Sequence, residues 1–220
     1  MQQERDQFSG GPIRKNHRDR HAGAPYRPRQ KPHADDQNEK PSRSLFIRNI
    51  AYDTKADHIL DLFRPYGDIK DTYDQIAGRG ILFIHFFDIR ASEQAKRDAA
   101  DRLVGDRPLD VHFSVPKDDI RVIKCDQTKN QGTLLLSLNG SQDILVDKEL
   151  YEEFQQFGDI KVIRTPNFKK ASGSTAKWQR FIEFFDSRAA VDAAKANQGK
   201  EYKGGIWDVQ YFWDQAFGKP

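Results

Sequence analysis

The stretch Arg79–Phe86 reads RGILFIHF. Taken as a strand, it places Gly80, Leu82, Ile84 and Phe86 on one face and Arg79, Ile81, Phe83 and His85 on the other. The first set suits a core. The second holds a ring and an aliphatic between a cation and an imidazole. A second stretch, LFIRNI, alternates in the same way: Leu45 and Ile47 point inward, Phe46 and Arg48 outward. Rings held on the wet side of a sheet stack on planar ligands. Two of them on adjacent strands suit two unpaired bases, with cations for the phosphates, and each stack is worth about 1–3 kcal/mol.

Chemistry of other kinds finds less support. Asp88 and Asp186, each following a Phe-Phe pair, read as helix N-caps. His85 and His112 have no third ligand in their motifs, and the single Cys125 excludes an internal disulfide and any two-thiol zinc site. There is no phosphate-cradling glycine loop and no nucleophile elbow. The expectation is a non-catalytic protein with no cofactor, no metal and no small-molecule substrate. No window is apolar enough to span a membrane, and the N-terminus lacks the apolar stretch of a secretory signal. The protein is expected inside the cell, in nucleus or cytoplasm.

The elements that position these residues occur twice. FRPYGDIK (63–70) returns as FQQFGDIK (154–161), FIHFFDIRAS (83–92) as FIEFFDSRAA (181–190), and LDVHF (109–113) as WDVQY (207–211). Each copy reads strand, helix, strand, strand, helix, strand. In the first copy Asp53 or Thr54 is expected to cap a helix whose Ile59, Leu62 and Phe63 share a face. A tight AG turn joins the next two strands. The second helix carries Ala95, Ala99 and Leu103. This order predicts an α+β fold: two ferredoxin-like βαββαβ domains, each a four-stranded antiparallel sheet backed by two helices and open on its other face. Expected boundaries are a disordered basic tail over 1–43, a first domain over 44–116, a linker over 117–132, a second domain over 133–213 and a C-terminal tail over 214–220. The net charge of +3 resides in the tail, so the near-neutral folded body needs placed contacts to hold nucleic acid.

LFIRNI and RGILFIHF resemble the hexamer and octamer of the RNA recognition motif (RRM). The resemblance implies binding of single-stranded RNA, including messenger RNA in post-transcriptional regulation. The implied site on the first module is Phe46, Arg48, Arg79, Ile81, Phe83 and His85, with His112 on the closing strand. Ile81 stands where the family usually has a third ring and offers apolar packing instead. SRSLFIRNI, FFDIRAS, LDVHFSVPKD, NQGTLLL and RFIEFFDSRAA further resemble the first two modules of the Mei-two-like meiosis regulators. That family's third, C-terminal module has no counterpart in these 220 residues.

The second module departs from the pattern. Leu135 and Ser137 replace Phe46 and Arg48, Gln179 replaces a ring, and Glu183 brings a carboxylate to the face. Arg180 falls at an inward position. Phe181 keeps one ring, Phe212 is expected to point to the same face, and Lys177 lies in the long basic and aromatic loop 165–178. These three are the second module's candidates for RNA. Trp207 and Tyr211 read as core. The competing expectation is that the second module binds a partner protein.

Overall fold

The structure is a computed structural model that describes residues 39–114, 125–166 and 175–213. Short segments with apolar residues at every second position close over Ala-rich helices, and this happens twice. The first module runs β1 (Ser44–Arg48), α1 (Ala56–Phe63), β2 (Ile69–Gln75), the single turn α2 (Ile76–Arg79), β3 (Ile81–Phe86), α3 (Ile89–Ala99), β4 (Leu103–Val104), β5 (Arg107–Pro108) and β6 (Asp110–Phe113). Its sheet is antiparallel, in the order β2-β3-β1-β6. The second module runs β7 (Thr133–Asn139), α4 (Asp147–Phe154), β8 (Ile160–Arg164), β9 (Gln179–Phe184), α5 (Ser187–Asn197), β10 (Glu201–Tyr202) and β11 (Gly205–Phe212). Here the order is β8-β9-β7-β11-β10, so the two-residue β10 adds a fifth strand to the four expected.

Each module has its own core. Leu45, Ile47, Leu82, Ile84 and Phe86 pack on Ile59, Phe63, Ala95 and Ala99 in the first. Leu134, Leu136, Ile182, Phe184 and Trp207 pack on Leu150, Phe154, Ala190 and Ala193 in the second. Asp88 and Asp186 cap α3 and α5 by accepting the backbone N–H of Arg90 and Arg188, each at 2.8 Å. Arg180, inward on β9, reaches the rim of the core, where its guanidinium bonds Asp147 and the Leu145 carbonyl.

Four local expectations are corrected. Helix α1 starts at Ala56 rather than at a cap on Asp53 or Thr54, because Thr54 N–H bonds back to the Ala51 carbonyl in a turn; Lys55 holds the cap position without a side-chain bond. The AG turn is instead the helical turn α2, started by Asp74 accepting the Ile76 N–H and ended by Gly80 at φ +66°. A side chain at Gly80 would meet the Ile50 carbonyl at 2.6 Å, and this left-handed residue ends the turn before the strand begins. Arg79 therefore belongs to the turn and not to β3. Leu103 lies beyond α3, in β4, and is exposed.

The folded body also begins before residue 44 and takes in the end of the expected linker. Ser42, Arg43, Cys125 and Asn130 are buried. Glu39 lies beside the closing strand, accepting from Lys96 and from the Phe113 N–H and sitting 2.6 Å from His112 Nδ1. The remaining expected tail and linker residues, 1–38, 117–124 and 214–220, fall outside the described residues, as do 115–116 of the expected first domain and 167–174 of the long loop.

Burial works to raise the Glu39 carboxyl, but its bonds to Lys96, Phe113 and His112 prevail and hold it below its ordinary 4.5. A carboxyl lowered by folding adds stability above its unfolded value, and that stability is lost as the pH falls through the folded one. Glu39→Gln is expected to destabilise the first module by about 1–2 kcal/mol at pH 7. The loss should shrink toward zero in acid, as read from urea unfolding at pH 7 and below pH 4.

Candidate nucleic-acid interface

The open face of the first module is set by pairing register. Strands β1 and β3 are the two central strands, and Phe46 lies directly opposite Phe83. Their ring centroids are 4.8 Å apart at an interplanar angle of 25°. Along the same face run Ser44 and Arg48 on β1, Ile81 and His85 on β3, Asp110 and His112 on β6, and Asp71, Tyr73 and Gln75 on β2. Tyr73 is paired with Phe83, its ring 6.1 Å away, and is 57% exposed. Sequence reasoning missed this third ring, although Asp71, Tyr73 and Gln75 alternate with Lys70, Thr72 and Asp74. It extends the aromatic surface to the edge strand, whereas Ile81 occupies the usual ring position at the other end of β3.

The polar groups around the rings are more committed than their types suggest. The Arg48 guanidinium donates to Asp110, lies 2.8 Å from His112 Nε2 and sits 5.7 Å from the Phe46 centroid. His112 bridges the carboxylates of Glu39 and Asp110, at 2.6 Å from each. His85 Nδ1 shares a 2.5 Å hydrogen bond with Ser44 Oγ. Burial pushes the His85 imidazole below its ordinary value, more than the nearby Asp71 carboxylate raises it. Arg79 is exposed just before β3. Beyond His85 the face runs into a cleft of about 250 Å³ lined by Arg43, Ser44, Lys70, Asn130 and Gln131.

The second module's corresponding face is closed. Leu135 pairs with Phe181, Ser137 with Gln179 and Thr133 with Glu183, and of these Thr133, Leu135, Ser137, Phe181 and Glu183 are all buried. Phe181 is only 4% exposed. It comes from one side of β7 and Phe212 from the other, and their rings meet at 4.8 Å. The Arg164 guanidinium lies 4.3 Å from the Phe181 centroid, and Lys161 pairs with Glu183 at 2.7 Å. Lys177 is exposed at the end of the loop.

Two βαββαβ modules in tandem, one with rings on the paired central strands of an open sheet, define the class of sheet-face nucleic-acid-recognition proteins. Residues 45–110 and 145–205 match the RNA recognition motif, and the chain belongs to that family. The second match begins after β7, the strand that has lost its aromatic residue. The chain is 38% identical over 168 residues to Protein MEI2-like 2 of Oryza sativa subsp. japonica, covering 76% of this chain and 18% of that protein. It is 37% identical over 167 residues to Protein MEI2-like 3 of Arabidopsis thaliana, covering 76% of this chain and 20% of that protein. It thus spans about a fifth of the length of these curated relatives. Among solved structures, the Sex-lethal RNA recognition domains 1 and 2 from Drosophila melanogaster overlay with a TM-score of 0.31 at 18% identity, covering 70% of this chain and 93% of that one.

His85 is expected to titrate below 6.5 in an NMR pH series on its imidazole signals, because folding favours its neutral form. The sign follows for stability. The unfolded chain binds this proton more readily, so His85 costs the fold stability as the pH drops through 6.5 and nothing above it. His85→Asn should reduce that acid sensitivity.

Proposed function

We propose that the chain binds single-stranded RNA on the open sheet of its first module, as one of the proteins that act on messenger RNA after transcription. The observation that carries this is the opposed pair Phe46–Phe83 with exposed Tyr73 beside it. Three rings across three adjacent strands offer stacking surface to successive bases, and only unpaired bases can splay to reach them. Arg79 and Ile81 flank the start of β3, and His85 and His112 offer hydrogen bonds to base edges or phosphates. Arg48 faces Asp110, so a phosphate must compete with a carboxylate for it. Affinity therefore rests on stacking more than on charge. The cleft past His85 gives a strand leaving the rings a route toward the second module, with Asn130 and Gln131 on its wall.

A second reading applies to the second module. Phe181 is buried, with Arg164 and Phe212 against it, and among the described residues this sheet presents no exposed ring. That favours a structural or partner-protein role there, with exposed Lys177 left as its candidate RNA contact.

Phe46→Ala, Phe83→Ala and Tyr73→Ala are each expected to weaken single-stranded RNA binding by about 1–3 kcal/mol, roughly five-fold to over a hundred-fold. None should unfold the protein, since none belongs to the core. Phe181→Ala should change RNA affinity far less and stability more. Fluorescence anisotropy with a randomised single strand and with its duplex is the measurement. Undiminished binding by Phe46→Ala/Phe83→Ala would place the site elsewhere. The logarithmic salt slope should be shallow, near that of one to three phosphate contacts at about 0.7 each.

A further inference from the structure

Two repeated stretches lie outside the ring platform: GDIK (67–70 and 158–161) and the Phe-Phe-Asp-x-Arg segments (86–90 and 184–188). The structure brings residues of all four together where the modules meet. The backbones at Asp88 and Asp186 form an antiparallel bridge. Ile89 N–H donates to the Phe185 carbonyl at 3.1 Å and Ser187 N–H to the Phe87 carbonyl at 3.0 Å. Arg90 is held by Asp88 of its own module, reaches Asp159 of the other at 2.8 Å and lies 4.4 Å from the Phe185 ring centroid. Arg188 repeats this from the other side: it is held by Asp186, reaches Asp68 at 2.7 Å and lies 4.5 Å from the Phe87 centroid. The two halves correspond residue for residue.

One position breaks the symmetry. The Arg43 carbonyl accepts from Phe86 N–H just as the Gly132 carbonyl accepts from Phe184 N–H, so these two residues occupy equivalent places. Arg43 is 3% exposed, and its guanidinium donates to the carbonyls of Phe87, Gln131, Phe184 and Phe185. Those acceptors come from both sides of the junction. A side chain at Gly132 would meet the Arg43 guanidinium at 2.5 Å, on a backbone at φ +91°. One copy thus supplies the buried cation and the other leaves the space for it. A lone surface ion pair holds little. Two Arg-Asp-Phe sets, a backbone bridge and a buried guanidinium bonded across the junction act as a network.

We propose that these repeated segments are a docking device, a reciprocal clasp locked by Arg43 that fixes the two modules in one arrangement in the free protein. The clasp needs no RNA, so it stands or falls separately from the binding reading. The test is nitrogen-15 relaxation of the full chain without ligand. A single tumbling time for both modules is expected. Arg90→Glu/Arg188→Glu should split it into two shorter times, and adding Asp68→Arg/Asp159→Arg should bring back the single time. Arg43→Ala, which leaves both ion pairs in place, is a second route to loosening and serves if the charge reversal disturbs folding. Amide signals far from the junction report whether each module stays folded. Independent tumbling of the unaltered protein would overturn the proposal. So would a single tumbling time that survives in both folded variants.

Discussion

Phe46 and Phe83 meet because β1 and β3 pair with those two residues directly opposite one another. Most else on the binding face follows from that register. Side chains alternate along a strand, so a slip of one residue would send both rings into the core and Leu45 and Leu82 into water. The cost of burying polar groups and exposing aliphatic ones fixes the register far more firmly than the rings could. The 4.8 Å between centroids is about the spacing of neighbouring strands. The aromatic platform is thus an outward copy of an arrangement that the core enforces from beneath.

The second module presents a different sheet face. Its four main strands pair in the same order as the first module's, with β10 added; Leu135 stands in the central ring's place, and the rings of Phe181 and Phe212 meet. Glu183, which would repel a phosphate in the open, is instead buried and paired with Lys161. The same fold therefore presents an open aromatic face in one copy and a closed one in the other.

Much of this was legible in the sequence because it rests on period two and on repetition. The element order, the central strands, the outward Phe46 and Phe83, the caps at Asp88 and Asp186 and the core position of Trp207 all follow from local pattern. What escaped depended on distant partners or on backbone geometry. Tyr73 sits in a strand with no apolar alternation, since β2 is an edge strand with little to bury. Arg79 looked like a strand residue until Gly80 turned left-handed. Arg48 looked like a free cation because its partner Asp110 lies 62 residues away. Phe181 is buried, and the Arg164 and Phe212 it meets are residues that no local window brings together with it. Asp88 and Asp186 were read correctly as caps, but a cap uses only part of a carboxylate, and the remainder holds Arg90 and Arg188, which reach the other module.

The near-twofold character of the module junction has a consequence for how the protein behaves in company. The halves are alike but for Arg43 and Gly132, so each half also fits the opposite half of another molecule. What keeps it within one chain is the tether. Joining the modules directly through the polypeptide gives each a local concentration of its partner in the millimolar range. At micromolar protein a neighbouring molecule competes poorly, and the closed monomer prevails. Crowding many copies together would erode that advantage, and modules of adjacent molecules would then exchange partners.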